Sequence, residues 1–111
     1  MDWVEVLKAL ANRNRLEIFQ YLREADGADQ MEGKDGQGVT ELAKQFSLAP
    51  STVSEHLKEL RRADLVVMNK HGPRVTCSVN LQTLDQLSRF FRPAERPLEE
   101  DKGNDSSPGK S

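Results

Sequence analysis

Residues 50 to 62, PSTVSEHLKELRR, place short hydroxyl groups and basic side chains on one face of a predicted helix. At about 100° per residue, Val53, Leu57 and Leu60 fall on one side and the polar residues on the other. Small Ser and Thr side chains near a helix N-terminus allow close approach to DNA, and basic side chains reach its phosphates. The pattern favours a helix that reads a DNA groove, with an ordinary solvated amphipathic helix as the alternative. The candidate DNA contacts on this helix are Ser51, Thr52, Ser54, Glu55, His56, Lys58 and Arg62.

The segment before this helix predicts a shorter helix joined to it by a tight turn. Residues 38 to 46 repeat apolar side chains at helical spacing, and Gly38 fits the N-cap position. A turn follows at residues 47 to 49. Pro50 suits the first position of the next helix, because its missing N–H would have had no partner there and its φ is already helical. The sequence therefore predicts a helix-turn-helix.

A β-hairpin is predicted directly after the second helix. Residues 65 to 70 are apolar and β-branched, HGP at 71 to 73 interrupts them, and residues 74 to 80 alternate apolar and polar side chains. A helix-turn-helix followed by a hairpin is a winged helix, so the fold class is mainly α with a small β-hairpin. The wing tip supplies further candidate DNA contacts, which are Lys70, His71 and Arg74.

Three segments in this order resemble the ArsR/SmtB family of small dimeric winged-helix repressors. Residues 7 to 22 resemble that family's leading helices, and residues 52 to 60, TVSEHLKEL, resemble its recognition-helix signature. Residues 62 to 66 resemble the turn that leads to the wing, although Asp64 stands where a glycine is common. The positions in the leading helices that carry the resemblance are Leu10, Ala11, Arg15, Leu16 and Ile18.

The resemblance implies a sequence-specific transcriptional regulator that binds double-stranded DNA, acting as a repressor. Both terminal helices have apolar faces too wide for one small domain to cover, so we expect a homodimer formed through them. A symmetric dimer requires an inverted-repeat operator, with the two recognition helices roughly 34 Å apart. The candidate interface residues are Trp3, Val4, Leu7, Leu84, Leu87 and Phe91.

The 111 residues fit one winged-helix domain over residues 1 to 92, followed by a disordered tail from 93 to 111. We expect an exposed loop at residues 25 to 38, because this segment is rich in Gly and Asp and has no periodicity. No apolar run reaches the ~18 residues needed to span a bilayer, and no signal peptide is recognisable, so a cytoplasmic protein without a membrane partner is expected. The chain has a net charge of −2, but residues 38 to 92 hold eight basic and five acidic side chains, a net charge of +3.

No metal site, cofactor or catalytic site is predicted. The metal-sensing relatives hold thiolates around the third helix, or His and carboxylate ligands on the last helix, and this chain has neither set. Its only histidines, His56 and His71, fall on the predicted DNA-reading surface. The single cysteine, Cys77, is expected to be a packed core thiol, and the sequence offers no nucleophile-base pair or phosphate-binding loop. The signal is left open between a small-molecule effector, a partner protein and protein abundance alone.

A winged-helix module that binds only other proteins is the main alternative, because the same fold serves both purposes. The positive charge of residues 38 to 92 and the basic wing favour DNA binding over this alternative.

Overall fold

The computed structural model describes residues 1–32 and 36–93, together with their side chains except those of residues 26–32. Within this part there are five helices and one three-stranded antiparallel sheet, as in a winged helix-turn-helix. The helices are α1 (Trp3–Leu10), α2 (Arg13–Glu32), α3 (Val39–Phe46), α4 (Pro50–Arg62) and α5 (Leu81–Phe90). The strands are β1 (Gln37–Gly38), β2 (Val66–His71) and β3 (Arg74–Val79). The predicted fold class is confirmed.

Short polar side chains fix where three helices begin. The Asp2 carboxylate accepts the backbone N–H groups of Val4 and Glu5 at the start of α1. Asn12 accepts the N–H of Arg15 in the first turn of α2, and Asn80 accepts two N–H groups in the first turn of α5. Each cap pairs donors that have no partner inside the helix, an effect of about 1 kcal/mol.

The core lies between α2 and the helix-turn-helix. Ile18 and Leu22 of α2 are fully buried, and so are the apolar residues of α4 that the sequence places on its inner face. Burying each such side chain stabilises the fold by about 1.5–3 kcal/mol. The fully buried members of this core include Ile18, Leu22, Leu42, Val53, Leu57, Leu60 and Leu65.

Helix α4 ends in a Schellman motif. Asp64 has a φ of 63°, its N–H bonds to the Arg61 carbonyl at 2.9 Å, and the Leu65 N–H bonds to the Leu60 carbonyl at 2.9 Å. The side chains of Leu60 and Leu65 are both fully buried, as this motif favours. Asp64 therefore occupies the left-handed position for which glycine is preferred, which explains why glycine is common there in the family that the sequence resembles.

A second turn with a residue in the left-handed conformation joins α3 to α4. Ser47 has a φ of 55°, and the N–H of Leu48 reaches back to the Ala43 carbonyl at 2.9 Å. Pro50 then opens α4 after Ala49 as its N-cap. The predicted turn and the predicted role of the proline are both confirmed.

The hairpin turns through Gly72 and Pro73, with His71 paired to Arg74. Gly72 has a φ of 65°, and proline cannot take a positive φ, so this is the type II′ arrangement rather than type I′. On the other side of β3, the two residues of β1 pair with Cys77 and Thr76. The sequence predicted the hairpin but not β1, whose two residues have too little pattern to identify.

The predicted loop at residues 25 to 38 is wrong over most of its length. Helix α2 continues to Glu32, and Gln37 and Gly38 form β1. Only Gly27 opposes a helix strongly in residues 25 to 32, and a single glycine costs about 1 kcal/mol relative to alanine, which the rest of a long helix can offset. Residues 33 to 35 of that loop, and residues 94 to 111 of the predicted tail, lie outside the described residues.

Cys77 is a packed core residue, as predicted. Its side chain is fully buried, and its sulfur lies 3.5 Å from the carbonyl oxygen of Gln37 in the neighbouring strand. In the described part of the chain, no helix is both long and apolar enough to cross a membrane.

Asp64→Gly is expected to stabilise the protein by about 0.5–1 kcal/mol, because glycine adopts the left-handed conformation without the strain of a Cβ atom. The free energy of unfolding in urea measures this change. Ala63→Gly is the matched control, since Ala63 has a φ of −88° and gains nothing from glycine. A lower stability for Asp64→Gly would show that the aspartate makes a compensating contact.

Candidate nucleic-acid interface

Helix α4 presents a polar face because its opposite face is held in the core. Val53, Leu57 and Leu60 are fully buried, which fixes the rotation of the helix about its axis. The residues on the other side are therefore exposed, in agreement with the helical projection. The exposed candidates on this helix are Ser51, Thr52, Ser54, Glu55, Lys58 and Arg62.

The wing places its candidate residues on the surface as well. Lys70 and His71 end β2, Arg74 begins β3, and all three are exposed. The paired register of β2 and β3 brings these residues together around the Gly72–Pro73 turn.

The helix face and the wing line one groove. The groove has a volume of about 570 Å³ and lies between the N-terminus of α3, the middle of α4 and the two wing strands. Ser54 and Lys58 of α4 face it together with Lys70 and Arg74 of the wing. The polar face of α4 and the tip of the wing, which are separate in the sequence, thus form one concave surface with a cationic lining.

Three polar side chains line this groove that were not among the predicted contacts. Thr40 and Glu41 come from the first turn of α3, and Arg61 comes from the last turn of α4. Thr40 and Glu41 are both exposed on α3. No local sequence pattern shows that the wing lies opposite these two residues, because that depends on the folded arrangement.

Glu41 and Arg74 form an ion pair across the groove, with an N···O distance of 3.3 Å. Both side chains remain about half exposed, at 54% each. The carboxylate accepts the backbone N–H of its own residue and a hydrogen bond from Arg74, and these contacts hold the pKa of Glu41 below its usual value. Glu41 is therefore anionic at neutral pH.

His56 lies at the edge of the buried face of α4 and is half-buried. Burial lowers its pKa, the positive charge of Arg15 lowers it further, and Glu55 partly opposes both effects. Arg15 is held in place by a 2.7 Å hydrogen bond from its Nε to the carbonyl of Ala9. His56 is thus a neutral, half-buried side chain at physiological pH.

Arg62 is the last candidate on α4. It lies 3.5 Å from Glu59, one turn earlier on the helix, and about two-thirds of its side chain is exposed. Such an exposed pair contributes little to stability, so Arg62 is available to other anions.

The terminal helices meet at one pair of stacked aromatic rings and carry exposed apolar side chains. The rings of Trp3 in α1 and Phe90 in α5 stack with their centroids 4.8 Å apart. Among the candidate interface residues, Val4, Leu7 and Phe91 are exposed, Trp3 and Leu84 are half-buried, and Leu87 is buried in the core of its own chain. Exposed apolar side chains on or next to these helices also include Met1, Leu81 and Phe90.

Within the described residues, no three His, Cys, Asp or Glu side chains come together as a ligand set for a metal ion.

Comparisons with known proteins define the class. Residues 10–69 match the model of a helix-turn-helix domain. The uncharacterized HTH-type transcriptional regulator YbzH of Bacillus subtilis (strain 168) is 31% identical over 97 residues, which cover 83% of this chain and 97% of that protein. The chain is therefore a helix-turn-helix transcriptional regulator.

Solved structures narrow this class. HlyU from Vibrio cholerae N16961 is 29% identical with a TM-score of 0.58, over 79% of this chain and 89% of that one. The homodimeric winged helix-turn-helix DNA-binding domain Mb0332 from Mycobacterium bovis, described as a possible ArsR-family regulator, is 25% identical with a TM-score of 0.58, over 78% of this chain and 77% of that one. The chain belongs to the ArsR family of winged-helix transcriptional regulators. The resemblance inferred from the sequence is confirmed, and DNA binding is favoured over a module that binds only proteins.

Glu55→Gln is expected to raise binding to non-specific DNA by about 2- to 5-fold at low salt, because it removes a negative charge from the exposed face of α4. Fluorescence anisotropy with a scrambled duplex measures the change. Glu17→Gln, on the exposed surface of α2, is the control for the change in net charge. Unchanged or weaker binding by Glu55→Gln at matched salt would contradict the assignment of this face to DNA.

Proposed function

We propose that this protein is a dimeric cytoplasmic repressor that binds an inverted-repeat operator through α4 and the wing. The observation that carries the proposal is the shared groove, in which the polar face of α4 and the basic wing tip lie on the same side of the molecule. The proposed function involves no metal, cofactor or catalysis. It does not specify the chemistry of an effector.

Helix α4 has suitable dimensions for the major groove. Its 13 residues correspond to about 20 Å, and the major groove is about 12 Å wide. Ser51, Thr52 and Ser54 lie at its N-terminal end, where recognition helices of this kind contact base edges. Short side chains there bring the helix backbone close to the bases.

The cationic groove is suited to the sugar-phosphate strand that borders the major groove. Lys58 and Arg61 approach it from α4, while Lys70 and Arg74 approach it from the wing. Contacts to phosphates set the register and orientation of a protein on the duplex, and base contacts supply the specificity. We therefore propose that Ser51, Thr52, Ser54, Glu55 and His56 read bases, and that Arg62 and the groove cations hold the backbone.

The dimer is proposed to form through α1 and α5. Val4 is 64% exposed and Phe91 is 65% exposed, a poor arrangement for large apolar side chains in a small monomer. The stacking of Trp3 on Phe90 joins the two helices into one surface, which a second copy can cover around a two-fold axis. Repression is proposed from the resemblance to the ArsR/SmtB family of repressors.

The first experiment measures binding of the purified protein to a fluorescent fragment from upstream of its own gene, against scrambled DNA, over a salt series. Lys58→Ala combined with Arg74→Ala is expected to weaken binding at least 10-fold. It should also reduce the slope of log K against log salt by about 0.9 for each phosphate that the variant no longer neutralises. Arg23→Ala, an exposed arginine on α2, should leave both quantities unchanged. Weak binding by the unmodified protein that is equal on both DNAs would refute the proposal.

Val4→Glu is expected to convert the dimer to a monomer, because it places a charge in the proposed interface without removing a buried side chain. Sedimentation velocity at micromolar concentration measures the mass. Val67→Glu, which changes an exposed valine on β2, is the control and should remain dimeric. A monomeric unmodified protein, or a dimeric Val4→Glu variant, would contradict the proposed interface.

A further inference from the structure

Arg74 differs from the other cations of the groove in already holding an anion. Among the described residues, Lys58, Arg61 and Lys70 have no carboxylate within ion-pair distance, whereas Arg74 lies 3.3 Å from Glu41. Glu41 is also the single acidic residue that lines the described groove. The pair joins residues 33 positions apart in the chain, so it depends on the folded arrangement of α3 and the wing.

Gly38 provides the space that this ion pair occupies. A Cβ atom at position 38 would overlap Oε1 of Glu41 and would lie 3.2 Å from Nη1 of Arg74. Gly38 is the N-cap of α3 with a φ of −75°, so its backbone does not require glycine. The close approach of the carboxylate accounts for a small residue at this position.

We propose that Glu41 occupies on Arg74 the position that a DNA phosphate takes in the complex, so that the free protein carries a masked wing arginine. This inference rests on the proposed function. A phosphate that enters the groove must displace the carboxylate before Arg74 can contact it. DNA that fits the groove poorly gains nothing from Arg74, so masking lowers non-specific binding more than operator binding.

The exposure of the pair makes such an exchange feasible. Both side chains are 54% exposed, and an ion pair in contact with water is weakly held. Arginine forms strong charge-assisted hydrogen bonds with phosphate, and its planar group allows two of them at once. Glu41 keeps its negative charge throughout the neutral range, since its contacts lower its pKa. The carboxylate is therefore charged, and able to pair with Arg74, at neutral pH when DNA is absent.

Glu41→Gln tests the proposal directly. It removes the charge, frees Arg74, and is expected to raise affinity for scrambled DNA by about 3-fold per protomer, or about 10-fold for a dimer that uses both grooves. On scrambled DNA the salt dependence should become steeper, because the freed Arg74 then neutralises a phosphate that it does not contact in the unmodified protein. Glu24→Gln is the matched control, since it removes a carboxylate paired with an arginine on α2, outside the groove.

A second variant frees Arg74 without changing any charge. Gly38→Ala displaces the flexible end of Glu41 and is expected to raise affinity for scrambled DNA in the same direction as Glu41→Gln. Circular dichroism and urea unfolding establish that this variant is folded. Its agreement with Glu41→Gln would show that the contact with Arg74 matters, and not the negative charge alone.

The decisive comparison repeats Glu41→Gln in an Arg74→Gln background. If Glu41 masks Arg74, its substitution should have little effect once Arg74 is absent. An equal rise in both backgrounds, no rise, or a loss of affinity in Glu41→Gln would each overturn the inference. The unmodified protein is measured in the same salt series, so a failure of selective DNA binding itself is seen separately as a failure of the proposed function.

Discussion

The burial of one apolar stripe on α4 determines which way the polar face of this helix points, and with it the orientation of the proposed DNA-reading surface. Val53, Leu57 and Leu60 are fully buried, and the carbonyl of Leu60 also accepts the Leu65 N–H in the motif that ends the helix. The same leucines therefore set the rotation of α4 and the point where the chain turns into the wing. A rotation of α4 by one residue would expose these side chains and move the serines toward the core. The energy of core packing thus fixes the direction in which polar groups face.

Local patterns were sufficient to predict the elements that carry this surface. The spacing of apolar residues gave the two helices, Pro50 marked the start of the second, and the HGP sequence marked the wing turn. Local composition was misleading at residues 25 to 32, where repeated Gly and Asp suggested a loop but the helix continues. Gly27 alone was too small a penalty to end a helix already stabilised by its buried part.

Features that depend on distant residues were not predictable in the same way. The two residues of β1 form a strand only because β3 lies beside them, and the Glu41 to Arg74 contact exists only once the wing folds against α3. Leu87 illustrates the same limit, since its spacing fits both a dimer surface and a monomer core, and packing places it in the core. The excess of basic residues between positions 38 and 92 was visible in the sequence, but only the fold shows that four cations and one acid line the same groove.

The shortness of β1 has a consequence for the behaviour of the protein in concentrated solution. A sheet edge has unpaired N–H and C=O groups that can recruit a strand from another molecule. In the described sheet β3 is the central strand, one edge is formed by two residues only, and the other edge ends in Lys70 and His71. A very short edge and a charged edge are both features that discourage edge-to-edge pairing between molecules. The proposed wing can thus extend from the helices with little tendency to pair with the sheet of another molecule.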